Sequence, residues 1–130
     1  MSSRGSRIKN GYITTSEYIT KFITANNVKI LVGVGSKHSL PDFSRSSNAV
    51  YAKVRDNGSL QEIRFYDAFG WPIIEIAYHP EPKINNGSRD SVVHYHLYNG
   101  LDRRNASLLT EELKQKYAKY LKEFNLYDKC

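Results

Sequence analysis

Cysteine is almost absent: the chain holds one, Cys130, which excludes an internal disulfide framework and a cysteine-based zinc site. Long apolar runs are missing too. Runs such as Ile30 to Val34 and Ile73 to Ile74 fall far short of the roughly 20 residues of a membrane-spanning helix, so no membrane partner is expected. Arg4, Arg7 and Lys9 near the start have no apolar stretch behind them; they form no secretory signal, and a cytoplasmic location is expected. Also lacking are a phosphate loop, a dinucleotide glycine fingerprint, a Gly-x-Ser-x-Gly elbow, a Cys-x-x-Cys pair and His-Glu-x-x-His. Nucleotide hydrolysis, nicotinamide redox, serine hydrolase and zincin chemistry drop out with them, and no motif asks for a cofactor.

What the sequence has is positive charge and tyrosine. Its 130 residues, 40% apolar, suffice for one domain. Lys and Arg number 19 against 13 Asp and Glu, a net +6. The excess is mostly N-terminal: residues 1–45 hold 7 basic and 2 acidic groups, residues 46–105 hold 7 of each. Such a surface suits a polyanion, with RNA or another nucleic acid first among the partners and an acidic protein second. Of the ten tyrosines, Tyr51, Tyr66, Tyr78, Tyr95 and Tyr98 fall in strand-like segments, where aromatics pack well whatever the function.

The pattern divides into a basic arm over 1–12 and one domain over 13–130. Tyr18, Ile19, Phe22 and Ile23 stand at helical spacing, and Thr14 with Glu17 has the offset of a capping box, which predicts a first helix ending near Asn26. Residues 28–34 read as a buried strand and 35–48 as a long loop. The segments 49–55 and 60–66 flank Asn57-Gly58, a hairpin signal; 72–79 and 91–98 resume strand patterning after Asp67 to Gly70 and the loop 80–90. Asn99-Gly100 ends the last strand. Leu109, Leu113, Tyr117, Tyr120, Leu121 and Phe124 make one stripe of a helix over about 107–124. The expected fold is therefore α+β: an antiparallel meander of four or five strands with an N-terminal and a C-terminal helix.

His94 and His96 stand two apart in a strand and so project from one face with Tyr98. Three readings are open: an acid and base pair, two metal ligands, or polar residues on the wet face of the sheet. His79 shares its strand face with Glu75 and Ala77. One register brings that face onto the histidine pair, and a slip by one residue sends it to the other side. A metal-dependent alternative would use His79, His94 and His96 as three ligands. Lys37 and His38, with Arg45 further along the same loop, have the makings of a phosphodiester site: cations for phosphate and an imidazole for proton transfer. Phe69 and Trp71 are either an exposed apolar tip or turn aromatics folded onto the core.

Leu40-Pro41 through Asn48-Ala49-Val50-Tyr51, then Gln61 to Asp67 with Gly70 and Pro72, then Ile76-x-Tyr78-His79, then His94-x-His96-x-Tyr98-x-Gly100 resembles, over about residues 37–101, modules of bacterial polymorphic toxins and phage-encoded proteins. Several of these are similar to the small nuclease class related to barnase and RelE. The resemblance implies a small ribonuclease-like domain and a cognate inhibitor protein among its partners. His94, His96, His79 and Lys37 would be catalytic, with Lys37 and Arg64 facing the phosphorane charge. His38, Arg45, Arg64 and Tyr98 would hold substrate. Where those modules read Ile-Asp-Tyr, this chain reads Ile76-Ala77-Tyr78, so an aspartate orienting a histidine is lacking. The alternative is a non-catalytic accessory protein of a mobile element or phage that binds nucleic acid or protein.

Overall fold

A computed structural model describes residues 8–9, 12–13, 18–34 and 39–130. Strands β1 (Ile8–Lys9) and β2 (Tyr12–Ile13) pair antiparallel. The body of the molecule is one sheet built from β3 (Tyr18–Ile23), β4 (Lys29–Gly33), β5 (Val50–Val54), β6 (Leu60–Tyr66), β7 (Pro72–Pro80), β8 (Ser91–Asn99), β9 (Asp102–Arg103) and β10 (Ser107–Leu108). Its order is β10-β8-β7-β6-β5-β4-β3, with β9 also on β8. All pairings are antiparallel except β4 with β5, so the sheet is mixed and not the expected meander. Two short helices, α1 (Glu111–Lys116) and α2 (Ala118–Glu123), follow at the C-terminal end.

The expected N-terminal helix is a strand. Residues 18–23 form β3, paired with β4, and the capping pair Thr14 and Glu17 lies outside the described residues. A β-bulge between Thr20 and Phe22 leaves Lys21 as the extra residue and shifts the side-chain alternation. Apolar residues then recur at 18, 19, 22 and 23, the spacing of a helix, while Tyr, Ile, Thr and Phe are strand formers.

The C-terminal helix starts later than its stripe suggests. Thr110 is the N-cap, its hydroxyl accepting from the Leu113 N–H at 3.2 Å, and 107–108 pair with β8. Tyr117 leaves helical dihedrals and divides α1 from α2; its ring packs on Phe65 with centroids 4.5 Å apart.

One sheet face carries the helices. Ile30, Ala52, Ile63, Phe65, Ile74, Ile76 and Val93 bury against Tyr117, Leu121 and Leu126. The opposite face, with the other strand parity, encloses Lys29, Arg64, Glu75, His94 and His96. Part of it lies under the segment from Ser39 to Ala49, which packs Leu40 and Ala49 on Tyr18, Leu31, Tyr51 and Tyr66. That segment is stitched to the turn between β6 and β7 by Ser44 N–H donating to the Gly70 carbonyl at 2.8 Å. Gly70 has φ +91°, and a Cβ there would stand 1.8 Å from the Ser44 carbonyl oxygen, so only glycine fits. In the same turn Phe69 and Trp71 are exposed. No helix among the described residues is long and apolar enough to cross a membrane.

Candidate functional site

Register decides the site. Glu75 stands opposite His96, Ala77 opposite His94 and His79 opposite Val92, so of the two registers open to the sequence the fold adopts the one that gathers the histidines. The rings form a row: His79 lies 4.5 Å from His94 and His94 lies 5.3 Å from His96, centroid to centroid, each pair edge to face.

Each imidazole is fixed through Nδ1 by a backbone carbonyl. His94 Nδ1 lies 2.9 Å from the Val92 oxygen, His96 Nδ1 lies 2.8 Å from the Arg104 oxygen, and His79 Nδ1 lies 3.0 Å from the Pro80 oxygen. A carbonyl only accepts, so the proton sits on Nδ1 and the neutral ring keeps a lone pair on Nε2. For His94 and His96 that Nε2 is buried and has no hydrogen-bond partner. Ala77 is fully buried directly across from His94 and offers the ring no polar atom, so the Val92 carbonyl alone holds it.

Burial lowers the pKa of both His94 and His96. For His94 the bond to Val92 opposes the shift and His79 and His96 add to it. For His96 the bond to Arg104 opposes it and the Arg103 charge adds to it. Both shifts favour the neutral ring, in which Nε2 carries a free lone pair.

His96 opens on a pocket of about 410 Å³ between the β7–β8 connection and the chain after β9, lined also by Glu81, Lys83, Ile84, Arg103, Arg104, Asn105 and Ala106. The chain reaches this place because Gly100, at φ +63°, turns β8 back into β9, with Tyr98 paired to Arg103. The strand end at Asn99 thus leads into a hairpin turn at Gly100-Leu101, and the Arg103-Arg104 doublet behind it is the signal that sequence reasoning passed over. Glu81 and Lys83 follow His79 closely in the chain and were passed over too.

The other expected site residues are placed differently. Lys37 and His38 lie outside the described residues. Arg45 is exposed on the segment 39–49. Arg64 is buried and fully engaged: Nε and Nη2 donate to Glu75 Oε1 at 2.9 and 2.6 Å, and Nη1 donates to the Leu40 and Pro41 carbonyls at 3.2 and 3.0 Å. It clamps the covering segment to the sheet. Tyr98 donates to Glu75 Oε1 at 3.3 Å and stacks beneath the Arg64 guanidinium, 5.2 Å from ring centroid to Cζ. Burial first and the Glu75 charge second push its phenol up to about 12, so it remains a donor. Arg103 Nη1 approaches Glu75 Oε2 at 3.7 Å and Arg104 Nη1 approaches Asp102 at 3.9 Å, both arginines staying substantially exposed.

The arrangement brings a neutral imidazole acceptor and three cationic side chains to one polar pocket. Compared with models of protein families, with curated proteins and with solved structures, the chain matches none.

Proposed function

We propose that this chain cleaves RNA by acid/base chemistry in the pocket floored by His96. The observation that carries the reading is His96 in the wall of a cavity also lined by Lys83, Arg103 and Arg104, its buried Nε2 left without a hydrogen-bond partner. Once a small rotation of the ring exposes it, Nε2 accepts the proton of a 2′-hydroxyl; the freed oxygen bonds to the adjacent phosphorus, giving a 2′,3′-cyclic phosphate, as the P–O5′ bond breaks and the departing 5′-oxygen takes a proton from water. The three cations meet the charge that grows on the phosphorane, a role they fill in place of the engaged Arg64. RNA carries its own nucleophile, so the reaction needs no activated water. The basic excess of the chain draws the polyanion in.

A second reading, in which the pocket grips nucleic acid and cleaves nothing, is favoured by one observation: His94 is completely enclosed, so the second imidazole of the pair does not touch substrate. Incubating a labelled RNA with the wild-type chain, His96→Ala and the double variant Arg103→Ala/Arg104→Ala separates them. Cleavage by wild type falls about 10²–10⁴-fold in His96→Ala with binding retained. The arginine variant binds more weakly and with a shallower salt dependence, since fewer counterions are released. The acid limb of the rate lies below the ordinary histidine value of 6.5, in the direction in which burial moves His96. Salt-sensitive binding with intact RNA selects the second reading. Neither binding nor cleavage removes both.

A further inference from the structure

We propose that His79, Glu81 and His94 form a site for a divalent transition-metal ion of the zinc class. One ligand atom from each lies within 4.8 Å of the others. They come from the end of β7, from the residue after Pro80 as the chain leaves the sheet, and from the middle of β8.

Three observations converge. His79 and His94 each spend Nδ1–H on a backbone carbonyl, the outer bond that metal-bound histidines ordinarily make, and so present Nε2 as the ligand atom. The Nε2 of His94, on a side chain with no exposure, has no hydrogen-bond partner, and a bound ion is one of the few things that satisfy a buried orphan of that kind in a fixed ring. The atom nearest to it that could share a charge is Glu81 Oε2 at 3.8 Å, too far for a hydrogen bond. It is close to the edge of a tetrahedron of zinc ligands, about 3.3–3.5 Å for bonds near 2.0–2.1 Å.

Glu81, whose side chain is 26% exposed, has the freedom to close the remaining gap by a rotamer change. Two imidazoles and one carboxylate suit Zn²⁺; magnesium and calcium take oxygen ligands, and Cu(I) favours sulfur. Three protein ligands leave a fourth position for water. His96 is outside this group, although Glu81 also lines the pocket proposed for RNA cleavage; the metal-binding test reads no cleavage, so the two proposals fail separately. The ion would pin the start of the β7–β8 connection, and with it the Glu81 wall of the pocket, to the middle of β8.

The test uses the full chain, stripped with a chelator, dialysed and titrated with Zn²⁺ and then Co²⁺. One equivalent binds, the melting temperature rises, and Co²⁺ gives the visible absorption of a four-coordinate ion. Glu81→Gln and His79→Ala, both at partly exposed positions, each weaken Zn²⁺ binding at least about tenfold, and Cys130→Ser leaves it unchanged. Nitrogen-15 spectra of the wild-type imidazoles move at the Nε2 of His79 and His94, a readout that needs no substitution of the buried ring. The proposal is overturned if no saturable binding occurs, as for a plain Glu81–His94 ion pair. It is equally overturned if binding survives both Glu81→Gln and His79→Ala, or if it is lost in Cys130→Ser.

Discussion

On the face covered by α1 and α2 the central strands enclose Ile63, Ile74 and Ile76, whereas on the other face the same strands enclose Arg64, Glu75, His94 and His96. Burial is equally complete, but it is made favourable in different ways. The apolar face gains with every methylene removed from water and needs no particular geometry beyond close packing. The polar face must return a partner for each group it desolvates. It does so fully at one end, where Arg64 meets Glu75 and two carbonyls. At the other end each imidazole has a partner on one nitrogen only. The satisfied end is architecture, and the half-satisfied end is where chemistry has room.

The contrast is broken most severely at the clamp. Arg64→Ala leaves Glu75 charged, buried and without its main partner, and chemical denaturation should record a loss of about 3–5 kcal/mol. The double change Arg64→Met/Glu75→Leu should lose much less, because it turns that end into more of what the first face already is. A smaller effect is expected from Leu121→Ala beneath α2, a cavity costing about 2–4 kcal/mol. This variant should leave the Nδ1–H tautomers of His94 and His96 unchanged in nitrogen-15 spectra, since the sheet separates it from them.

The smallest effect is a pH dependence. Both histidines have folded-state pKa values below the ordinary 6.5, so between the folded and unfolded values the unfolded chain binds more protons. Their contribution is complete above about pH 6.5 and is lost as pH falls from there through the folded values. Melting temperatures measured from pH 7.5 downward should show this decline, and it should be shallower in His96→Asn.

Strands β5 to β8 were legible because they are rich in strand-forming residues and their first two turns carry Gly58 and Gly70 at positive φ. In the first hairpin only Gly58 adopts it, Asn57 does not, and the extra residue appears as a bulge at Lys53/Val54. The histidine pair was legible because strand parity alone puts 94 and 96 on one face. The register of β7 against β8 was not, because a two-residue period fits either alignment until the other face is known to be apolar. Strand β3 was hidden by its bulge. The pocket was hidden because its cations Arg103 and Arg104 end and directly follow a strand of two residues, Asp102–Arg103, whose existence depends on β8 being there to receive it. Arg64 was legible as a cation near the site but not as a buried one: its engagement follows from Glu75 standing opposite it, a long-range fact.

The single parallel join has a consequence for how the molecule comes apart. From β5 to β9 each strand pairs with its neighbour in sequence, and β3 pairs with β4 in the same way. Between these two pieces only Lys29 with Tyr51 and Ile30 with Ala52 are in register, and closing that seam means bringing together segments separated by the long connection after β4. Thr24 Oγ1 donating to Glu123 at 2.8 Å and Asn26 Nδ2 donating to the Lys119 carbonyl at 3.3 Å fasten the tip of the β3–β4 hairpin to α2. The hairpin is thus sewn along one short edge, tacked at its tip and otherwise held by the packing of Ile30, Tyr18 and Leu31, so an opening that spares the histidine-bearing strands would start at this seam.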